Sequence, residues 1–240
     1  MLIGGVQELT TLDFPGRLAA VVFTLGCNFR CGYCHNPQFI QCQGETLTSR
    51  IPEEVFFKFL EKRKGKLEGV CISGGEPTLQ PDILEFARKI KNMGFLVKLD
   101  TNGTMSGVLE KMIAEKVVDF FAMDIKTSLF RYGEILAVKP PIGGLTAKIL
   151  EEIKKSKEII QNSGLPYEFR TTAVKGKHTK EIFEEIGEWL KGAEAYFIQN
   201  FRNKKTLAEE YKNEEGFSEK ELAEFKKLMG KYVKNCGIRI

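Results

Sequence analysis

The chain has 240 residues, of which 42% are hydrophobic and 28% are charged. That hydrophobic content can bury a sizeable core and excludes a disordered chain. Lys and Arg number 36 against 32 Asp and Glu, so the formal charge is only +4, which does not favour a nucleic-acid partner. No apolar run approaches the roughly 20 residues that span a bilayer, and the start of the chain lacks a signal-peptide pattern. We therefore expect a soluble, cytoplasmic protein with neither nucleic acid nor membrane as a partner.

Short apolar runs alternate with longer segments of helical periodicity along the chain. The predicted strands are residues 19–25, 69–73, 95–100, 119–126, 167–174 and 194–201. The predicted helices are residues 51–65, 81–94, 106–116, 145–164, 179–192 and 218–235. No linker rich in Pro, Gly or Ser divides these units. We expect a single domain over residues 1–240, with its core at about 19–201 and a C-terminal helix at about 218–235.

The alternation of strand and helix predicts an α/β fold with a parallel sheet and right-handed crossovers. A closed barrel of eight such units takes about 250 residues. This chain supplies six units, so we expect an open, partial (β/α)6 barrel. Parallel sheets bind their ligands at the carboxyl ends of the strands. Because the motifs CNFRCGYC, GGEP, DTNG and DIK follow or end the first four predicted strands, they are expected to lie at one edge of the sheet.

Charged and polar side chains occur near the ends of several apolar strands. The two-residue period of a strand puts the members of each of these sets on one face: Lys98, Asp100 and Asn102; Asp124 and Lys126; Arg170 and Thr172. Any one of them could be a solvated strand end or part of an ion-pair network. Burying a charge without a partner is costly. Several strands that bring such groups to one edge therefore favour a polar ligand.

Three cysteines, Cys27, Cys31 and Cys34, crowd into the loop CNFRCGYCHNP after the first predicted strand. A structural zinc site needs four ligands; His35 could be the fourth, although its position next to Cys34 makes a tetrahedral site difficult. Cys42 is another possible fourth ligand, but it lies in an unrelated stretch. Three thiolates also fit a four-iron cluster that leaves one iron open for a substrate. The other cysteines, at positions 42, 71 and 236, are scattered, which fits a reducing compartment.

The loop CNFRCGYC resembles the CxxxCxxC signature of radical S-adenosylmethionine (SAM) enzymes. GGEP, about 40 residues downstream, is similar to the motif with which that family holds the SAM amino group. The resemblance implies a [4Fe-4S] cluster on Cys27, Cys31 and Cys34, whose remaining iron is chelated by SAM. It also implies that the partial barrel is of the radical SAM type.

The same resemblance implies further contacts to SAM. Gly74 and Gly75 would let the backbone approach the methionyl part, and Glu76 would help to fix its ammonium group. Tyr33 and His35 would lie against the adenine. These positions are assigned by their match to the family's motifs.

The predicted strand ends carry the remaining assignments. Asp124 and Lys126 resemble the DxK pair that contacts SAM in glycyl-radical enzyme activating proteins, and Arg170 resembles an arginine that approaches it. Asp100 and Asn102 belong to a DTNG element, which implies a monovalent cation near Asp100. Two further candidates for cofactor binding, at a strand-six position where some of these proteins have a His, are Gln199 and Asn200.

The finer resemblance rests on YCHNP at residues 33–37, which is similar to glycyl-radical enzyme activating proteins, and on TTLDFPGRLAAVVFTLGC at 10–27, which resembles the form that activates anaerobic ribonucleotide reductase. It implies a single cluster that receives an electron from a flavodoxin or ferredoxin-type reductant and passes it to the SAM sulfonium. The carbon–sulfur bond then breaks into methionine and a 5′-deoxyadenosyl radical. This radical takes a hydrogen atom from a glycine Cα of the partner glycyl radical enzyme.

Two other functions stay open at this point. A small-molecule radical SAM enzyme, such as a 7-carboxy-7-deazaguanine synthase, would share the cysteine loop and GGEP, although CHNP after the third cysteine fits it poorly. A non-enzymatic iron-sulfur or zinc protein would explain the cysteines and leave the charged strand ends unexplained. We expect no side chain to serve as an acid or base catalyst.

Overall fold

The computed structural model describes residues 1–40, 50–133 and 143–240, with the backbone alone at 143–146. Within these ranges eight strands form one sheet. They are β1 (Ile3–Thr10), β2 (Ala19–Thr24), β3 (Gly69–Gly74), β4 (Leu96–Thr101), β5 (Phe120–Asp124), β6 (Tyr167–Ala173), β7 (Ala195–Asn200) and β8 (Asn235–Arg239). The order of strands across the sheet follows the chain from β1 to β8.

Helices separate most of the strands. The described α-helices are α1 (Glu53–Arg63), α2 (Ile83–Asn92), α3 (Ser106–Ala114), α4 (Gly143–Asn162), α5 (Lys180–Trp189) and α6 (Glu219–Met229). Four short 3-10 turns lie at Pro37–Phe39, Pro77–Leu79, Leu129–Arg131 and Glu209–Asn213. None of the described helices has the length and apolar character needed to cross a bilayer.

The pairing of the strands explains the open shape of the sheet. β1 runs antiparallel to β2, and each later neighbour, from β2 to β8, is parallel to the one before it. Since β1 and β8 stand at opposite ends of the strand order, the described sheet does not close on itself. The predicted α/β fold with a partial barrel is therefore confirmed.

The sheet has two more strands than predicted, because the edge strands β1 and β8 lack the sequence pattern of a buried strand. β1 contains two glycines, and its residues Gln7–Leu9 are exposed, so it lacks a clear apolar alternation. β8 has only five residues, NCGIR. The C-terminal helix was expected to reach about residue 235, but α6 ends at Met229 and the chain turns through Gly230 into β8. The lysine-rich end of that segment therefore has a helical period without forming a helix.

The central strands separate apolar from charged side chains. In β4, Val97 and Leu99 belong to the hydrophobic core, and Lys98 and Asp100 alternate with them on the opposite face. Helices pack on the apolar face and contribute aromatic side chains to the core, which include those of Phe56, Phe86 and Phe183. The charged face is left to line the interior of the partial barrel at the carboxyl ends of its strands.

Candidate active site

A cavity of about 340 Å³ lies at the carboxyl ends of the parallel strands, a volume that suits a small-molecule ligand. It brings together most of the residues that the sequence singles out: Cys27, Cys31, Tyr33, Cys34, His35, Gly74, Gly75, Glu76, Asp100, Asn102, Asp124, Lys126, Arg170 and Gln199. Thr172, which the strand pattern places on the same face as Arg170, also lines it, as do Asp13 and Ser73, which the sequence did not single out. Residues from six strands and the cysteine loop, residues 27–37, therefore share one cavity.

Asn200 is the candidate that the structure does not bring into the cavity lining. Its side-chain amide donates to the carbonyl of Phe217 at 2.9 Å, and its Oδ1 accepts from the Phe217 amide at 2.9 Å. The strand alternation explains the difference, because Gln199 and Asn200 point to opposite faces of β7. Asn200 thus fixes the segment that precedes α6.

The cysteine loop is held by main-chain hydrogen bonds. The amide of Gly26 donates to the Phe39 carbonyl at 2.8 Å, and the amide of Cys27 donates to the Ile40 carbonyl at 3.2 Å. Within the loop, the Cys34 amide donates to the Cys31 carbonyl at 3.0 Å. These bonds orient the three thiols without using their side chains.

The three thiols lie in a poorly solvated part of the cavity. Burial raises the pKa of Cys27 to about 12 and that of Cys31 to about 11, and it also raises the pKa of Cys34. Among the described residues, no three His, Cys, Asp or Glu side chains converge closely enough to hold one metal ion. A four-iron cluster takes one thiolate on each of three iron atoms, so its ligands do not have to converge. The three thiols therefore suit a cluster in donor type and number.

The other cysteines are not part of this group. Cys71 is fully buried in β3, and Cys236 is half-buried in β8. Neither lines the cavity. Cys42 lies outside the described residues.

The GGEP turn is packed directly against the start of the cysteine loop. The amide of Gly75 donates to the Thr24 carbonyl at 2.9 Å, and the amide of Glu76 donates to the Gly26 carbonyl at 2.7 Å. A Cβ atom at Gly75 would lie 2.0 Å from the Gly26 oxygen, and one at Gly74, whose φ is +117°, would lie 2.2 Å from the Thr24 nitrogen. Both glycines are thus required by the contact between two segments of the chain, a cause that differs from the expected approach of a ligand.

Glu76 connects this turn to the DTNG turn after β4. Its Oε1 accepts from the Thr101 hydroxyl at 2.8 Å, and its Oε2 accepts from the Asn102 amide at 2.6 Å. Oε1 also accepts from the Thr78 amide at 3.1 Å. Burial raises the pKa of Glu76 despite these donors. The carboxylate therefore fixes both turns beside the cavity.

Four charged residues, in or just after β4, β5 and β6, form what we call the charged wall: Asp100, Asp124, Lys126 and Arg170. Asp124 accepts from Arg170 Nε at 2.9 Å and from Lys126 Nζ at 2.9 Å. Arg170 Nη1 also donates to Asp100 Oδ2 at 3.4 Å. Arg170 is only 8% exposed, so these ion pairs lie largely out of water.

The pairing keeps every member of the charged wall ionised. Burial acts to raise the pKa of Asp124, but Arg170 and Lys126 outweigh it and hold that pKa well below the ordinary range. Burial likewise acts to lower the pKa of Lys126, yet Asp124 raises it well above its usual value. The carboxylate and the ammonium therefore stay charged across the working pH range of a protein.

Two buried residues that the sequence did not single out fix the main chain of Lys126. His178 Nε2 lies 3.0 Å from the Lys126 carbonyl, and its Nδ1 accepts from the Val174 amide at 3.1 Å, so the ring proton belongs on Nε2. The Lys126 amide donates to the Tyr132 hydroxyl at 3.0 Å. One signal was available in the sequence, because His178 follows the carboxyl end of a predicted strand.

The segment after β7 covers the cysteine loop from outside. The amides of Leu207 and Ala208 both donate to the Gly32 carbonyl at 3.0 Å. The ring of Tyr211 meets that of Tyr33 edge-on, with 5.9 Å between their centroids. A side chain at Gly32 would collide with Tyr211 at 2.3 Å. This close packing excludes water from the outer side of the loop.

A family model described as the radical SAM superfamily matches residues 21–190 of this chain. A protein of Methanocaldococcus jannaschii, named as a candidate glycyl-radical enzyme activating enzyme, is 36% identical over 240 residues, which covers 99% of this chain and 95% of that protein. This chain belongs to the glycyl-radical enzyme activating enzymes of the radical SAM superfamily. The predicted enzyme class is confirmed, and a non-enzymatic iron-sulfur or zinc protein is set aside.

Two further matches describe what this activating enzyme resembles. The pyruvate formate-lyase-activating enzyme of Clostridium pasteurianum is 36% identical over 128 residues, which are 52% of this chain and 52% of that enzyme. Streptococcus suis SuiB, solved with its precursor peptide SuiA, superposes with a TM-score of 0.67 at 14% identity over 90% of this chain. The match covers 47% of the SuiB chain, so it compares this enzyme with about half of SuiB and concerns the fold alone.

Membership of the radical SAM superfamily implies a [4Fe-4S] cluster and SAM as cofactors. The cavity has the donors that these groups require, since three thiols line the same space as two cationic side chains, Lys126 and Arg170. The relation to the activating enzyme of anaerobic ribonucleotide reductase, in contrast, stays a prediction from the sequence.

Proposed function

We propose that this activating enzyme holds its cluster on Cys27, Cys31 and Cys34 and binds SAM across the cavity. We also propose that the protein substrate is an anaerobic ribonucleotide reductase with a glycyl radical site. The observation that carries the proposal is that the three thiols and the charged wall line one cavity. The ligands for a cluster and the charged groups for a polar cofactor therefore lie in the same cavity.

The charges of the cavity fit the methionyl part of SAM. Lys126 and Arg170 supply cations that can pair with a carboxylate, and their own partners hold them in place before a ligand binds. Glu76 supplies the carboxylate of the GGEP turn itself, where an ammonium group would be neutralised. The expected distribution of charge over the bound amino acid is therefore matched from two sides.

The adenine is expected on the aromatic side of the cavity, near Tyr33 and His35. The His35 ring lies 5.7 Å from the Phe201 ring, between centroids. Partial burial lowers the pKa of His35, and Lys126 and Arg202 lower it further, so the imidazole is neutral near pH 7. An exposed neutral imidazole beside the buried ring of Tyr33 suits a base that stacks on it.

When bound, the cluster and SAM supply a 5′-deoxyadenosyl radical, which takes one hydrogen atom from the glycine Cα of the partner. The chain's own residues orient the cofactors and keep water from the radical. The tight cover formed by Leu207, Ala208 and Tyr211 over the cysteine loop serves this exclusion. No acid or base is required, because the step moves a hydrogen atom and leaves no proton to transfer.

The choice of partner rests on the sequence motifs at residues 10–27 and 33–37. A flavodoxin or ferredoxin-type protein is the proposed source of the electron. The test is anaerobic reconstitution of the enzyme with iron, sulfide, reductant and SAM, followed by addition of a glycyl radical reductase. We expect a doublet EPR signal from the glycyl radical, and no such signal when the radical glycine of the partner is replaced by Ala.

Two outcomes of this reaction separate the ways in which the proposal could fail. SAM cleavage without any radical on the reductase would reject the partner and retain the cofactors. Productive turnover of a small nucleoside-like substrate would instead favour a small-molecule radical SAM enzyme.

A further inference from the structure

A buried lysine, Lys98, lies beneath the charged wall; the sequence places it on the same strand face as Asp100 and Asn102 but gives it no role in binding SAM. The side chain of Lys98 is 0% exposed, and its ammonium is bonded to Asp100 Oδ1. Its other neighbours are the Cys71 thiol, 3.7 Å from Nζ, and the Phe120 ring, whose centroid is 5.9 Å away. Among the described carboxylates, Asp100 alone is within ion-pair distance of Lys98.

Asp100 is therefore already surrounded by donors. Besides Lys98 on Oδ1, its Oδ2 accepts from the Ser73 hydroxyl at 3.0 Å and from Arg170 Nη1 at 3.4 Å. A carboxylate offers about four lone-pair positions, and three of them are directed at these donors. An alkali cation binds through oxygen ligands, as hard cations do. Asp100 has few oxygen lone pairs left to offer such a cation.

The balance of charge around Asp100 also disfavours a bound alkali cation. The two carboxylates of the charged wall, Asp100 and Asp124, face three cations: Lys98, Lys126 and Arg170. Glu168 lies 3.9 Å from Arg170 Nη1, but it brings a cation of its own, because Arg239 donates to it through two bonds of 2.8 and 2.6 Å, so the surplus of one positive charge remains. The surplus positive charge suits the carboxylate of a ligand. A fourth cation beside Asp100 would be repelled by the three that are present.

The ammonium of Lys98 is charged under all working conditions. Burial acts to lower the pKa of Lys98, but Asp100, together with Cys71 and Glu168, outweighs it and raises that pKa above its ordinary value. The pKa of Asp100 is in turn lowered, because Arg170 and Lys98 together outweigh the effect of burial. The pair is thus a permanent one within the folded chain.

We propose that Lys98 is a built-in counter-cation, which takes the place of the monovalent cation implied beside Asp100. It acts as a positioning residue: Lys98 fixes Asp100, Asp100 helps to fix Arg170, and Arg170 meets the carboxylate of SAM. The last step rests on the proposed function, which puts SAM against the charged wall. The consequence is an enzyme whose SAM affinity and stability do not depend on K⁺ or Na⁺.

The first experiment uses the wild-type, cluster-loaded enzyme. The affinity for SAM is measured by calorimetry in KCl, in NaCl and in tetramethylammonium chloride at equal ionic strength, since the last cation is too large to enter a buried site. We expect the dissociation constant to agree within about twofold among the three salts. A tenfold tighter affinity that is specific to K⁺ or Na⁺ would overturn the proposal, whatever the variants do.

The second experiment uses a variant whose SAM affinity should depend on K⁺ or NH₄⁺, as that of the wild type should not. Lys98→Ala leaves Asp100 without its closest cation and opens space beside it, so SAM should bind about tenfold or more weakly in tetramethylammonium chloride. K⁺ or NH₄⁺ should restore most of the affinity. Lys98→Met removes the charge and keeps the volume, so neither ion should restore it. Lys111→Ala, at an exposed lysine of α3, is the matched control and should behave as the wild type.

A third readout is independent of SAM and of the partner. An ion that binds only the folded chain raises its melting temperature. The melting temperature of Lys98→Ala should rise with added K⁺ or NH₄⁺ relative to tetramethylammonium, while that of the wild type should not. If the wild type gains as much as the variant, the ion binds elsewhere and the proposal is wrong. Failure of SAM to bind at all would instead reject the proposed function.

Discussion

The cavity has two walls that are held together by different interactions. The cysteine loop and GGEP are joined by main-chain hydrogen bonds such as those from Gly75 to Thr24 and from Glu76 to Gly26. The charged wall is joined by side-chain ion pairs that link β4, β5 and β6. The first wall is therefore held in place by its main chain, and among its thiols Cys27 Sγ accepts a hydrogen bond, at 3.4 Å from the Phe29 amide. The second must neutralise its own charges before a ligand arrives.

Substitutions in the two walls should therefore differ in how much they change the stability of the fold. Removing a thiol side chain from the first wall leaves its main-chain bonds intact. Removing a charge from the second wall leaves a buried partner uncompensated, which typically costs about 3–5 kcal/mol of stability. Ion pairs in water behave otherwise; Arg17 and Glu68, each about half exposed, belong to a class worth at most about 1 kcal/mol.

The largest expected effect comes from the thiols of the first wall. Replacing Cys27, Cys31 or Cys34 by Ala should abolish the cluster, because the sequence has no other thiol in this loop. Iron and sulfide analysis of each reconstituted variant, with the visible absorption of the cluster, measures the loss. The far-UV circular dichroism should keep its wild-type shape, since the main-chain bonds remain.

Three other cysteines serve as controls for that experiment. Cys42→Ala, Cys71→Ala and Cys236→Ala should retain the iron and sulfide of the wild type. A Cys34→Ala protein that keeps a full cluster and cleaves SAM would contradict the ligand assignment.

The next largest effect should be on the charged wall. Arg170→Met leaves Asp124 and Asp100 facing each other with less compensation, and we expect a loss of about 3–5 kcal/mol in the free energy of unfolding. For a chain of this size the melting temperature should fall by about 6–20 °C. SAM affinity should fall as well. Because Arg170 is buried among the charged wall, we expect the loss of SAM affinity to be accompanied by this loss of stability.

A variant of an exposed arginine, Arg17, is the matched control for Arg170→Met in thermal unfolding. Arg17→Met should change the free energy of unfolding by no more than about 1 kcal/mol. Equal losses for the two variants would mean that the charged wall is solvated and that its ion pairs resemble those on the surface.

The smallest expected effect concerns the support of Lys126 by His178. Burial holds the pKa of His178 below its ordinary value of 6.5. Because the folded pKa is depressed, this stabilisation is complete above about pH 6.5 and is lost as the pH falls below it, at no more than about 1.4 kcal/mol per pH unit. His178→Gln keeps a donor for the Lys126 carbonyl and does not titrate, so this part of the pH dependence should disappear.

Urea unfolding between about pH 5 and pH 8 measures the difference between wild type and variant, and the contribution of His35 cancels because both proteins contain it. His178→Leu removes the donor and should cost about 1–3 kcal/mol at pH 8. Parallel pH curves for the wild type and His178→Gln would show that the pKa of His178 is the same in the folded and unfolded chain, which would contradict its burial as a neutral imidazole.

The sequence predicted the central strands well because each is an apolar run between helical segments, as in AAVVFT of β2. The edge strands β1 and β8 were not predictable in this way. Each pairs on one side only in the described sheet, so burial imposes little pattern on its residues. The C-terminal segment shows the opposite problem, because its helical period continues past the point where packing against β7 draws the chain into β8.

The candidate site was predictable to the extent that it is encoded in local motifs. The spacing of the three cysteines and GGEP identify one wall from residues close in sequence. In the charged wall, Arg170 pairs with Asp100, 70 positions away in the sequence, and with Asp124, 46 positions away. No local sequence pattern reveals such pairs. The contacts of Lys98 and of Asn200 likewise depend on which face of a strand meets which neighbour. The sequence named the residues of this wall but not their pairings.

The most direct test of the central claim follows the hydrogen atom. The partner reductase is labelled with deuterium at the Cα of its glycines and incubated with the reduced, cluster-loaded enzyme and SAM. The account predicts that the 5′-deoxyadenosine formed carries one deuterium atom, in step with the appearance of the glycyl EPR doublet. Unlabelled 5′-deoxyadenosine accompanied by a full-yield glycyl radical would contradict it, because the hydrogen would then have come from another donor.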